Sequence, residues 1–522
     1  MTADAAHAEG MVHEMGRTHA PEREVTRAPA IVLKGALVMI GAAGIAGWIA
    51  LALFHIDDRY KVGHVAGHWM ALAQYANEGT LYPPLSDGER FGGTRHMPLP
   101  ILVNAGAARV TGEYLMAGKL AAMMLFGALL LLAIALLRQL RCPWPMALAL
   151  AGLLPATNTG LLVGSTVGGD VLAVALQVSA LLALTAAMRR DAPFAVLGAG
   201  ILAGLAVASK LTGIWAALAA VTWLAGRHDW RRISWFTAAW AGCALLTLGL
   251  TQWASGGRFV DTFVTLTFAG THGPVGWLRA PNQLIFFGST NAMAVWTLAS
   301  FAALAVIGGG RASGQPLHHH ALGWALLLTL VVFTDVGAGF NQLLDLGILT
   351  LLAIGGFAAR LPWRRFDTVS LTTILALAVV WAGATGVRAL VPDLREAKAI
   401  AQHGERSARY NPRPLAHVVA PEDTLLAEDP GLPVLLGRTP TVLDAFMLRR
   451  LDEVDPSRLD ALVARIDQGA FDHVVLIVPL HEDDFWWRDY HFGPRLVRAL
   501  RDRYVLAAEV DGYYVYRPEP RH

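Results

Sequence analysis

Apolar residues fall in long runs along most of this chain, at about 31–54, 114–137, 144–162, 168–187, 193–209, 211–226, 233–253, 286–308, 321–334, 343–359 and 369–387. About 20 apolar residues in a helix cross a ~30 Å hydrocarbon core, and a helix satisfies its own backbone polar groups there. The pattern therefore predicts an α-helical polytopic membrane protein with about eleven spans, several of them short. Residues 1–30 carry scattered His, Glu and Arg without apolar periodicity and read as a disordered tail. The first run is too long, and too far from the N-terminus, for a cleaved signal peptide, so it reads as an uncleaved anchor.

Two stretches break the apolar pattern. In the 55–113 loop, residues 59–78 place Val62, Val65, Ala66, Trp69, Met70 and Ala73 at helical spacing, which predicts an amphipathic surface helix. TLYPPLSDGERFGG is turn-rich, and residues 98–111 form a second short apolar helix that rests on or dips into one leaflet. Beyond Arg388 the pattern becomes that of a soluble protein, with a linker at 389–414 and a small α/β domain at 415–522. There, 424–429 and 472–480 read as buried strands and 456–469 and 494–504 as amphipathic helices. YVLAAEVDGYYVYRP reads as a hairpin turning at Asp511–Gly512.

Composition agrees: 55% of residues are hydrophobic and 16% charged, against about 25% charged in soluble proteins. A net charge of +2 gives no case for nucleic-acid binding. Cys142 and Cys243 lie in or beside apolar runs and suggest no disulfide framework. Arginine clusters set the orientation. Arg17, Arg23, Arg27 and Lys34 precede the first run, and Arg138, Arg141, Arg189, Arg190, Arg227, Arg231, Arg232, Arg311, Arg360, Arg364 and Arg365 fall in alternate loops. Placing all of them on the cytoplasmic side satisfies the positive-inside rule. The N-terminus is then cytoplasmic, and the 55–113 loop and the C-terminal domain are external.

That topology gathers candidate chemistry on the external face. Asp57 and Asp58 stand where the first run ends; ionisable groups cost roughly 3 kcal/mol each toward the bilayer centre and mark function there. The alternative is a plain polar cap where the helix leaves lipid. Asp170 opens the fourth run and either pairs with an arginine, binds a metal with Asp58 or caps its helix. Lys210, one of five lysines, lies between two runs and either holds an anion such as phosphate or snorkels. Arg59, Arg95, His96 and Arg279 are further candidate phosphate or sugar contacts.

The ordered set Asp57–Asp58, Tyr60, LYPPLSDGERF and RHMPLPILVNAGAARVTG resembles the first external loop of GT-C membrane glycosyltransferases, which include protein O-mannosyltransferases and the aminoarabinose transferase of lipid A. GGDVLAVAL with Asp170, SKLTGIWAALAAVTWL with Lys210, and FNQLLDLGILTLLAIGG with Asn341 are similar to the bacterial, ArnT-like branch. The C-terminal LAEDPGLPVLLGRTPTVLDAFMLRRL and DGYYVYRP resemble the external tail of bacterial members. The resemblance covers nearly the whole chain beyond residue 30.

The resemblance implies a GT-C domain at 31–388 in a bacterial inner membrane. It implies a polyprenyl-phosphate sugar as donor and a lipid, glycan or protein as acceptor, with inversion at the anomeric carbon. Such transfer needs a carboxylate to take the acceptor proton and positive charge for the departing phosphate. Asp57 matches the first acidic position and takes the base role, with Asp58 as orienting group. Lys210, Arg59, Tyr60, Arg95, His96, Asp170, Arg279 and Asn341 are the expected substrate or phosphate contacts. Some members bind a divalent cation, Mg²⁺ or Mn²⁺, and others do not; Asp57, Asp58, Asp170 and His96 could supply ligands here, Asp58 and Asp170 foremost. The rival classes are a lipid-linked oligosaccharide flippase and a non-catalytic membrane scaffold. His318–His320 falls in a cytoplasmic loop, apart from this chemistry. WWRDY at 486–490 resembles an oligosaccharyltransferase motif but is broken by Arg488. Glu428, Asp429 and Asp444 read as fold-stabilising acids.

Overall fold

The computed structural model describes residues 27–270, 273–290, 316–335, 337–361, 370–404, 410–481 and 485–520, with 299, 302, 303 and 306 besides. Most of the tail expected at 1–30, and most of the run at 286–308, lie outside the described residues. The other ten apolar runs are helical. α1 (Arg27–Phe54) is followed by a loop holding α2 (His64–Asn77) and α3 (Pro98–Thr111). α4 (Tyr114–Gln139) leads to a pair, α5 (Trp144–Leu153) and α6 (Asn158–Ser165), bent by 75° at the break between them. Next come α7 (Asp170–Arg190), α8 (Pro193–Ser209), α9 (Trp215–Ala225) and α10 (Trp230–Ala254). α11 (Arg258–Gly270) and α12 (Gly273–Thr290) precede α13 (Leu317–Val332), α14 (Leu344–Ala358) and α15 (Leu371–His403).

Among the described residues six helices are long and apolar enough to cross a membrane, or seven if the bent pair counts as one span. α8, α9 and α13, of 17, 11 and 16 residues, are the short apolar elements of the set. The chain is a multi-pass membrane protein. Its helices close up through small residues, the usual device where lipid removes the hydrophobic drive between helices. A Cβ on Gly44 of α1 would collide with the Gly152 carbonyl of α5, and one on Gly204 of α8 would lie 2.7 Å from the Trp240 carbonyl of α10. α10 buries only Phe236, Ala244 and Thr251, a stripe at near-heptad spacing, and turns Leu245, Leu246, Leu250 and Trp253 outward.

Two elements differ from their sequence reading. α2 does not lie half-exposed on a surface: Ala66 to Tyr75 are all buried. The C-terminal domain covers the face that carries His68 and Tyr75, and Val65, expected inside, is exposed. The expected linker at 389–414 is helical as far as His403, because α15 runs on through Pro392 for 33 residues and ends at Gly404 in the left-handed region.

The C-terminal domain has a four-stranded sheet in the order β1-β2-β4-β3, from β1 (Leu425–Ala427), β2 (His473–Leu476), β3 (Tyr504–Val510) and β4 (Tyr513–Pro518). β1 and β2 are parallel and the other pairs antiparallel. Asp511 and Gly512 both take positive φ, the two-residue turn that suits hairpin twist. α16 (Gly431–Leu435), α17 (Ala445–Val454), α18 (Asp460–Asp467) and α19 (Pro494–Arg503) complete it. The domain seats on the first loop. Phe91 and Leu443 exchange backbone hydrogen bonds with Thr441 and Phe91 at 2.9 and 3.0 Å, and Tyr75 Oη donates to the Pro440 carbonyl at 2.7 Å. Gly67 and Gly431 touch so closely that a Cβ on Gly67 would lie 2.5 Å from the Gly431 nitrogen.

Candidate active site

α1 ends at Phe54, and the turn after it sends the two aspartates in different directions. Asp58 is fully buried. Its Oδ2 lies 2.6 Å from His55 Nδ1, its Oδ1 accepts the Tyr60 amide at 2.8 Å, and Lys119 Nζ stands 3.6 Å from Oδ1. Lys119, buried on α4, also donates to the His55 carbonyl at 2.7 Å. A buried carboxylate survives when paired and hydrogen-bonded in this way. Asp57 is exposed. Asp58 is thus buried and Asp57 exposed, although they are neighbours in the turn after α1.

A cavity of about 260 Å³ opens at Lys61, three residues beyond Asp58; neither aspartate of the pair lines it. One side is apolar, from Ala122 and Leu125 of α4, Leu162 and Val163 of α6, and Val171 and Leu172 of α7. Its polar lining is Lys61, His64, Thr166, Asp170 and Asn341. Asp170 Oδ1 accepts from Lys210 Nζ at 2.7 Å and Oδ2 from Asn341 Nδ2 at 2.8 Å. Three residues singled out in the sequence therefore meet, although they lie on three separate segments. The carboxylate also sits at the start of α7, where the helix dipole favours negative charge. Lys210 is ion-paired and largely buried here, so it does not snorkel freely.

Trp69 of α2 lines the same cavity. Glycine at 169 makes room for it, since a Cβ there would lie 2.7 Å from the indole. The other face of Trp69 stacks on His96 at 4.2 Å, and His96 meets His68 edge to face at 5.0 Å. Burial holds both imidazoles below their ordinary range, His96 well below. His96 thus supports the cavity wall without lining it. His64 is lowered too, by burial first and then by His491, whose ring lies 4.7 Å away.

The remaining candidates go elsewhere. Arg59 does not face the cavity; its Nη2 donates to Asp429 Oδ2 of the C-terminal domain at 3.0 Å. Tyr60 is buried, stacked on His55 at 4.2 Å, and donates its hydroxyl to Asp393 at 2.6 Å. Arg95 is taken by Asp335 at 2.6 Å, and Arg279 is exposed on α12. Asp58 and Asp170 have separate partner sets, and among the described residues no group of three or more His, Cys, Asp or Glu side chains is placed to hold a metal ion. The three acids of the C-terminal domain have fold roles. Glu428 accepts from His491, Trp486 and the Ile477 amide, Asp429 from Arg59, and Asp444 caps α17.

Sequence reasoning missed Lys61, His64, Lys119 and Asp393. Signals for them existed. Lys119 is a lysine inside an apolar run, which calls for an internal partner, and Lys61 belongs to the same HIDDRYKVGH segment as the acidic pair.

No protein-family model matches the chain, and no curated protein matches it in sequence. Solved structures match its fold. ArnT from Cupriavidus metallidurans bound to undecaprenyl phosphate superposes with a TM-score of 0.57 at 14% identity, over 93% of this chain and 99% of that one. The apo form of the same protein gives 0.57 at 16% identity over the same shares. The archaeal oligosaccharyltransferase AglB from Archaeoglobus fulgidus is a looser match, with a TM-score of 0.49 at 12% identity over 91% of this chain and 74% of that one. The fold matches that of ArnT, and the likeness runs the length of both chains.

Proposed function

We propose that this protein is an integral membrane glycosyltransferase. In this reading it moves a sugar from a polyprenyl-phosphate donor to a lipid, glycan or protein acceptor at the external face, with inversion. The observation that carries the reading is one cavity that joins an apolar wall to a polar rim, the rim beginning at Lys61, four residues after Asp57. A ligand with a hydrocarbon tail and an anionic, hydroxylated head matches that combination. The full-length fold likeness to ArnT, solved with undecaprenyl phosphate bound, supports the same class of ligand.

Asp57, the accessible member of the pair, takes the proton of the acceptor hydroxyl as its oxygen attacks the anomeric carbon. The sugar–phosphate bond breaks, and the polyprenyl phosphate leaves with the electron pair, stabilised by positive charge. Asp58 acts through the chain: by fixing His55, Lys119 and the Tyr60 amide it holds the turn that presents Asp57. Lys210 and Asn341 fix the Asp170 carboxylate in the cavity lining, where it can accept hydrogen bonds from sugar hydroxyls. The orientation from the arginine clusters puts these groups and the C-terminal domain outside.

The test is turnover by the purified protein in nanodiscs, supplied with a panel of polyprenyl-phosphate sugars and read by lipid mass spectrometry. Release of polyprenyl phosphate coupled to a glycosylated acceptor is the expected result. Transbilayer movement of intact donor without release would favour the flippase class instead.

A further inference from the structure

Among the described residues lining the cavity, Lys61 carries the only permanent positive charge. Lys210 does not line it, and the Asp170 carboxylate that does is Lys210's own partner. An anionic head group entering the cavity therefore meets Lys61, whose own counter-ion, Asp393, does not line the cavity.

The backbone holds Lys61 in an unusual state. Its φ is +59°, the left-handed region that side-chain-bearing residues seldom occupy. The turn is fixed on either side, by the Tyr60 amide bonded to Asp58 and by the Val62 amide bonded to the Arg59 carbonyl at 3.0 Å. Lys61 Nζ lies 4.9 Å from the centre of the Tyr60 ring and 3.3 Å from Asp393 Oδ2. Asp393 follows Pro392 in the part of α15 that runs beyond the apolar stretch, and the same oxygen accepts the Tyr60 hydroxyl at 2.6 Å. Lysine and aspartate are partly open to solvent, at 34% and 24%. An exposed pair of this kind is weak and exchangeable, and a phosphate monoester brings more charge than a carboxylate.

We propose that Lys61 is the seat of the lipid phosphate and that Asp393 is its resident counter-ion, displaced when the phosphate enters. The polyprenyl identity of the lipid rests on the function proposed above; the seat itself does not need turnover. Tyr60 keeps a stacking role, so the anion exchanges against Asp393 alone.

Binding of a polyprenyl monophosphate to the full-length protein in detergent, followed by native mass spectrometry, tests this directly. Lys61→Met, which keeps side-chain length, should weaken binding at least tenfold while uncharged polyprenol binds as to wild type. Asp393→Asn keeps an acceptor for Tyr60 and should tighten binding several-fold. Undiminished monophosphate binding by Lys61→Met overturns the seat. Weaker or unchanged binding by Asp393→Asn overturns the counter-ion exchange. Phosphatidic acid bound as tightly as the polyprenyl monophosphate overturns the polyprenyl assignment. If transfer is absent while Lys61-dependent binding remains, the enzymatic reading fails and the phosphate seat stands.

Discussion

Arg59 Nη2 donates to Asp429 Oδ2 at 3.0 Å, with side-chain exposures of 8% and 2%, and this pair joins the turn after α1 to the C-terminal domain. Arg59 also lies 5.2 Å from the centre of the Tyr513 ring. The loop that carries Asp57 is thus clamped from both sides, by α4 through Lys119 and by the C-terminal domain through Asp429.

Breaking one side of a buried ion pair strands the other charge and costs about 3–5 kcal/mol. Arg59→Met and Asp429→Leu should each lower the thermal unfolding temperature strongly, and the double variant should recover much of the loss. A double variant as unstable as the sum of the singles would mean that the two side chains do not act as a pair.

Asp58→Asn should act on stability, since Lys119 and His55 lose their anion in a buried site; the same 3–5 kcal/mol scale applies. Thermal unfolding of Asp58→Asn beside Asp57→Asn checks this. Near-identical unfolding temperatures for the two variants would remove the division of roles between the aspartates.

How far this was legible beforehand depends on whether a signal is local. Spans, the limits of α3, and the hairpin at Asp511–Gly512 follow from periodicity and turn chemistry within a few residues. The meeting of Asp170, Lys210 and Asn341 was legible only as three conspicuous polar residues beside apolar runs; nothing local states that they touch. Nothing local tells that Arg59 and Tyr60 are taken by Asp429 and Asp393, which lie more than 300 residues away. α2 was read as half-exposed for the same reason: its cover comes from the far end of the chain.

Lys210→Ala leaves Asp170 without its cation at the cavity. A hydrogen bond between charged groups is worth about 1.5–3 kcal/mol, or roughly ten- to a hundredfold in rate. Turnover should fall by that much, with partial recovery in Lys210→Arg, which keeps charge but changes geometry. Donor affinity and rate in nanodiscs measure it, and unchanged turnover in Lys210→Ala would make the pair a helix-end support only.

His64, His68 and His96 all have folded pKa values below the ordinary 6.5, chiefly through burial. Between the folded values and 6.5 the unfolded chain binds more protons, so stability rises with pH there. Their contribution is complete above pH 6.5 and is lost as pH falls through the lowered values. Thermal unfolding followed from pH 7.5 down to 5 should show a declining midpoint, and His96→Gln should flatten the decline. A midpoint that rises on acidification would contradict neutral, buried imidazoles.

The most direct measurement is transfer by well-folded Asp57→Asn protein with a saturating polyprenyl-phosphate sugar. Loss of a general base costs roughly 100- to 10,000-fold. Expected is a rate reduced by that factor, with donor affinity and unfolding temperature close to wild type. A rate within a few-fold of wild type would contradict Asp57 as the base and with it the assignment of this turn as the catalytic centre.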